Sequence, residues 1–214
     1  MEAGKLPTGA LFRCLIRGTP IIHSWKGNMD YTILVGIDIG LSGGIAFFDF
    51  QSGEVLSLQP MPTLDTVSKS GKKKRVIDLE KLKFILEIPH LRNEKTLVVM
   101  EAVHAFPGQG SVATATLMEQ KGIIRGLCSG LGYAEFQVEP KEWQKFYEMV
   151  PPKDLKGKSA SQTKTLRKKW LKDKSLETAR KMFPEWETKL SPNDAHGLSD
   201  SLLIGNWYKK VPHK

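Results

Sequence analysis

Apolar and polar positions along the 214-residue chain change period from front to back. Residues 31–50, YTILVGIDIGLSGGIAFFDF, hold two apolar runs around a glycine-rich turn, and a third run follows the QSGE turn. Short apolar runs divided by glycine turns predict strands over 32–38, 43–50 and 53–60 in an antiparallel meander. The next stretch, TVSKSGKKKRV, is polar and basic and is expected to be a flexible loop. Asp78 is placed to cap a helix reaching about His90. KTLVVME, 95–101, is a short apolar run ending in an acid and predicts a central strand. Over 111–130 the apolar residues Val112, Ala115, Leu117, Ile123, Ile124 and Leu127 recur at helical spacing. Gly122, Gly126 and Gly130 stand four apart in the same stretch, and close packing of this helix on a sheet is expected from them. AEFQVEP predicts a strand, KEWQKFYEM a short helix and PPKDLKGKSASQ a linker, with helical patterns over about 163–183 and 194–209. The order β-β-β-α-β-α-β-α-α-α predicts an α/β fold, in which a mixed five-stranded sheet of three antiparallel and then parallel strands is flanked by helices.

This length suits one well-buried domain and is too short for two full-sized ones. We divide the chain into an extension, residues 1–28, and a domain, residues 29–214. The extension carries LFRCLIRGTPII, apolar with arginines and faintly like an organelle transit peptide, while Met29 offers an alternative start. The formal charge of +9 and pI near 9.5 point to a polyanionic partner, nucleic acid or an anionic membrane surface. No apolar run reaches the roughly 18–20 residues of a membrane span. Cys14 and Cys128 lack zinc-site companions and form no disulfide framework, so a reducing compartment is the simplest expectation.

Asp38 stands near the end of the first apolar run, where a carboxylate is costly unless a cation pairs with it. Glu101 ends the later strand directly after LVVM. If these strands are neighbours, both carboxylates enter one crevice. His196 and Asp200, four apart in the last helical pattern, share a helix face. Two strand-end carboxylates joined by an acid and an imidazole make a site suited to Mg²⁺ or Mn²⁺. Taken singly, each has a plainer explanation: Asp38 as a turn residue, Asp200 as an exposed polar position, His196 as a first-turn histidine. Asp194, within SPND, reads as part of a capping segment.

VGIDIGLSGGIAFFD, VVMEAVHAFPGQGSVATATLMEQKGIIRGL, VEPKEWQK and HGLSDSLLIG, in this order and spacing, resemble the RuvC-type Holliday-junction resolvases, particularly their bacteriophage branch. The likeness spans about residues 31–208. It implies an RNase H-like fold and a homodimer that cuts four-way DNA junctions with Mg²⁺, two ions per active site, Mn²⁺ substituting. By position it assigns the acidic ligands to Asp38, Glu101 and Asp200. His196 occupies the family's remaining acidic position and is kept as a ligand or proton-transfer group. Asp38 is expected to bridge the metals, and products to carry 5′-phosphate and 3′-hydroxyl ends. A cytoplasmic location follows, in the host cell if the gene is a phage's, with organelle targeting by residues 1–28 left open.

The basic residues are concentrated. Between Lys153 and Lys181 there are 11 Lys and Arg, among them Lys158, Lys164, Arg167 and Lys168, against 3 acids; Lys69, Lys72, Lys73, Lys74 and Arg75 form a second cluster. Such runs can be solvated helix faces, but phosphate tracking is the better reading for a junction, where strands converge. Lys164 matches a lysine that the resembled family keeps near the cleaved phosphate; Lys141 and Lys145 are further candidates. HAFPGQGS is expected beside the metals, with His104, Phe106 and Gln109 toward DNA and an aromatic face for an unpaired base. Helix 111–130 is the expected dimer interface. Rival readings are an RNase H acting on RNA–DNA hybrids, a junction-binding module without catalysis, and a small kinase of the actin-like ATPase type, whose phosphate hairpin GIDIGLSGG also resembles. No second such hairpin occurs in the sequence.

Overall fold

The computed structural model describes residues 30–67, 71–104, 111–190 and 195–212. Seven strands and five helices are defined among them: β1 (Ile33–Asp38), β2 (Gly44–Asp49), β3 (Val55–Pro60), β4 (Thr63–Val67), β5 (Lys73–Ile77), α1 (Leu79–Leu91), β6 (Thr96–Glu101), α2 (Ser111–Gly130), β7 (Ala134–Val138), α3 (Pro140–Phe146), α4 (Ala160–Met182) and α5 (His196–Lys210). A 3₁₀ turn, Pro184–Trp186, follows α4.

The main sheet has the order β3-β2-β1-β6-β7. β1, β2 and β3 are antiparallel, while β6 runs parallel to β1 and β7 parallel to β6. This is the mixed five-stranded sheet expected from the sequence. Asp78 caps α1 as expected, its Oδ1 accepting from the Lys81 amide at 3.0 Å.

Strand periodicity sorts the core into two layers, because successive side chains take opposite faces. Val35, Ile37, Ile45, Val98 and Met100 pack with Leu82, Ile85 and Leu86 of α1 and Ile124 and Cys128 of α2. Leu34, Ala46, Phe48, Leu97 and Val99 pack on the other face with Leu176 and Ala179 of α4 and Leu198, Leu202 and Trp207 of α5. Asp38 has the parity of Leu34, and Glu101 that of Leu97 and Val99. Both acids therefore belong to the face that α5 covers.

Two expectations are corrected. TVSKSGKKKRV is not a loop throughout: 63–67 and 73–77 pair antiparallel as a separate two-stranded sheet. Gly122, Gly126 and Gly130 do not seat α2 on the sheet either, since a Cβ added at any of them would meet nothing within 4 Å. The close packing belongs to α5. A Cβ on Gly36 would stand 2.2 Å from the Ser201 carbonyl oxygen, and one on Gly197 would stand 2.1 Å from that of Ser42. Hydrogen in place of a side chain at these positions lets the helix backbone rest directly on the β1–β2 hairpin.

Candidate active site

The turn between β1 and β2 is held by the Gly43 amide donating to the Gly40 carbonyl at 3.0 Å. Gly43 also bridges to Gly197, in the first turn of α5. That seam joins the end of β1, which carries Asp38, to the helix that carries His196 and Asp200. β6, hydrogen-bonded beside β1, brings Glu101 to the same edge. Three elements distant in sequence thus place Asp38, Glu101 and Asp200 within electrostatic reach of one another.

The consequence is visible in their proton affinities. Asp38 is raised well above the usual carboxylate range, first by burial and then by the charges of Asp200 and Glu101, against a small opposing pull from Lys172. Burial likewise pushes Glu101 up to about 7, opposed by the hydrogen bond from Trp143 and reinforced by Asp200 and Glu139. Asp200 rises to about 6 through burial, while the Ser175 hydrogen bond and Lys172 hold it down. Raised proton affinities in a group of acids are a feature that clusters at functional sites.

Each carboxylate except Asp38 has a fixed protein partner. Trp143 of α3 donates from Nε1 to Glu101 Oε1 at 3.0 Å. Ser175 of α4 donates to Asp200 Oδ1, and its Oγ also lies 3.1 Å from Ser199 Oγ. Among the described residues no group of three His, Cys, Asp or Glu side chains is arranged so as to hold a metal ion. These partners hold the acids near one another without closing them together. The donor set still fits hard divalent cations: three carboxylates, each keeping some exposure, and a buried His196 Nδ1 with no hydrogen-bond partner.

Trp143, Lys172 and Ser175 do not emerge from the sequence as site residues. A signal for Trp143 existed, because a buried indole N–H needs an acceptor and this one follows the strand beside Glu101. Ser175 is a buried polar residue between apolar positions of α4, and Lys172 lies three residues before it, on the same helix face. Lys172, rather than Lys164, is the lysine whose charge acts on Asp38 and Asp200.

The remaining predicted residues are placed as follows. Lys141 and Lys145 are exposed on α3, which flank Trp143; Lys158 is exposed just before α4, and Lys164, Arg167 and Lys168 are exposed on its first turns. Lys72, Lys73 and Lys74 are exposed, the last two within β5. His104 Nε2 lies 2.8 Å from Glu139 Oε1. Phe106, Gln109 and Asp194 fall outside the described residues, as does the extension 1–28.

No protein-family model matches the chain. Among curated proteins, the chloroplastic Holliday junction resolvase MOC1 of Chlamydomonas reinhardtii is 27% identical over 108 residues, which is 50% of this chain and 10% of that protein. The chain therefore spans about a tenth of the length of the curated relative it matches. Among solved structures, Thermus thermophilus RuvC aligns over 81% of this chain and 90% of its own at TM-score 0.44 and 14% identity. The yeast mitochondrial Holliday junction resolvase Ydc2 aligns over 82% and 77% at TM-score 0.44 and 15% identity. The Fowlpox virus resolvase, solved with Holliday junction DNA, aligns over 83% and 97% at TM-score 0.39 and 10% identity. No helix among the described residues is long and apolar enough to cross a membrane.

Proposed function

We propose that this protein is a structure-selective DNA endonuclease that resolves four-way junctions by paired symmetric incisions. The observation that carries the reading is the convergence of Asp38 and Glu101, from neighbouring strand ends on one sheet face, with Asp200 from the helix over that face. A nuclease needs such a cluster because phosphodiester hydrolysis builds negative charge on both the attacking and the leaving oxygen. Two bound divalent ions, Mg²⁺ with Mn²⁺ as substitute, would supply charge neutralisation and an activated water, held by Asp38, Glu101, Asp200 and His196.

The chain's own residues do the rest. Trp143 and Ser175 fix the rotamers of Glu101 and Asp200, so that little reorganisation is needed when the backbone arrives. Lys172 contributes positive charge at the carboxylate edge, where it would meet the phosphate to be cut. Lys158, Lys164, Arg167 and Lys168 line the exposed start of α4 and would follow the phosphates of the converging strands, with Lys141 and Lys145 on α3 continuing the track. His104, beside Glu139, and Phe106 and Gln109 would meet bases at the junction centre.

A labelled four-way junction, compared with linear duplex and RNA–DNA hybrid in the presence of Mg²⁺, tests this. Paired nicks on the junction alone are expected. Cutting of the hybrid would move the assignment to an RNase H, and binding without cutting in any metal would leave a junction-binding module.

Paired incision of a two-fold symmetric substrate calls for a homodimer. The exposed Gly122 and Gly126 of α2, with open space beside them, would let two such helices approach closely. Among the described residues a Cβ at Gly126 meets nothing within 4 Å, and Gly126→Leu improves helix propensity. Light scattering is therefore expected to show a folded monomer with at least tenfold weaker self-association. An unchanged dimer would remove α2 from the interface.

A further inference from the structure

β4 and β5 form a two-stranded ribbon outside the main sheet. A lone two-stranded ribbon is marginal in water, and its outer part is poorly covered: Leu64 is 43% and Val67 64% exposed. At its base it is well anchored. Ile77 is buried with Met61 and Leu82, and the Asp78 amide donates to the Pro62 carbonyl at 3.0 Å. One further anchor joins it to the catalytic edge: Arg75 Nη2 donates to Ser42 Oγ at 2.8 Å.

Ser42 lies in the turn after Asp38, and its carbonyl abuts Gly197 at the start of α5. Arg75 therefore ties the ribbon to the turn on which both Asp38 and the His196 end of α5 depend. Strand alternation puts Lys73 and Ile77 on the same ribbon face as Arg75, with Lys74 on the other. Register sets Lys73 opposite Val67, Lys74 opposite Thr66, and Arg75 opposite Asp65. Only one acid thus faces three consecutive cations, and Lys73 extends the Arg75 face about two residues beyond the strut, roughly 6–7 Å at the usual strand rise. A cationic ribbon tied at its base and through Arg75 to an acidic edge suits a phosphate backbone entering that edge.

We propose that the β4–β5 ribbon guides one duplex arm of the branched DNA, Lys73 and Lys74 meeting its phosphates and Arg75 acting as a strut that holds the ribbon over the turn following Asp38. This rests on the nuclease reading above and adds to it a positioning residue and a fixed route for the substrate. Arg75 acts through Ser42, not on the reacting atoms.

Two measurements test it. The first is the salt dependence of four-way junction binding by wild type and Lys73→Gln/Lys74→Gln. Loss of two phosphate contacts should flatten the slope of log affinity against log salt by about 1–2. The second is a cycle of Arg75→Ala, Ser42→Ala and the double variant, read as the cleavage rate at saturating junction. The strut requires the double variant to be no slower than Arg75→Ala alone, because both changes break one contact, and Arg75→Lys should recover part of the rate without changing the salt slope. An unchanged slope in Lys73→Gln/Lys74→Gln overturns the guide, and additive losses in the cycle overturn the strut; in both cases wild-type cutting leaves the nuclease reading intact. A wild-type chain that neither binds nor cuts branched DNA overturns both.

Discussion

Asp38→Asn is expected to lower junction cleavage by at least about 100-fold, the upper range for losing even an outer partner of a metal ligand. Junction affinity should stay within about twofold, since the basic residues of α3, α4 and the ribbon, proposed to meet phosphates, are untouched. The same substitution should make the protein more stable near neutral pH in chelator. Asp38 has no fixed hydrogen-bond donor to offset its burial, unlike Glu101 and Asp200, and it feels both of their charges. An amide of the same shape removes that repulsion. Separate gel-shift, cleavage and thermal melting measurements read the three effects independently. A variant that still cuts at the wild-type rate would take Asp38 out of the catalytic group, and one that melts earlier would mean that its carboxylate is structural.

Much of this arrangement was legible in the sequence because it depends on parity and on local signals. Short apolar runs between glycine turns placed β1, β2 and β3, a fully apolar run ending in an acid placed β6, and the Asp78 cap placed α1. Convergence of Asp38 and Glu101 required only that two strand ends be neighbours. What escaped depends on contacts between distant segments. SGKKKR has the composition of a loop, and nothing local says that KKRVI will pair with TLDTV, which is itself half polar. Glycines do let a helix rest closely on the sheet, but the helix is α5 and not α2. Regular spacing in α2 looks like a packing stripe, whereas Gly36, Gly44, Gly197 and Gly205 are scattered over strand and helix and become a seam only when α5 lies on the β1–β2 hairpin. Lys164 and Lys172 are equivalent as members of a basic run. Only the path of α4 past α5 brings Lys172 and Ser175 to the carboxylates.

That carboxylate cluster also gives the metal-free protein an unusual pH response. Glu101 and Asp200 have folded-state proton affinities, near pH 7 and pH 6, above those of ordinary acids at 4.5 and 3.8, and Asp38 is shifted the same way. The sign follows from linkage. Raised acids favour the folded state fully below the unfolded values, near pH 4, and that contribution is lost as pH rises through about 6–7, when the folded cluster must ionise. Most proteins gain stability over the lower part of this range because their carboxylates are lowered; here these three oppose the trend. At about 1.4 kcal/mol per tenfold change in proton affinity, Glu101 and Asp200 are each worth at most about 3–4 kcal/mol, and their mutual coupling and partial exposure reduce the sum to a few. For a chain of this size that is ~5–10 °C in melting temperature between pH 5 and pH 8 in chelator. Saturating Mg²⁺ at pH 8 should recover about 3 kcal/mol at 100 times its dissociation constant, because the cation replaces the proton as the cluster's counter-charge. Asp38→Asn/Glu101→Gln/Asp200→Asn should melt independently of Mg²⁺ and with a flatter pH profile. A wild-type melting temperature that holds level or rises from pH 5 to pH 8 without metal would mean that the three acids are neutralised by groups of the chain itself, and the cluster would then be an internal polar network with no demand for a cation.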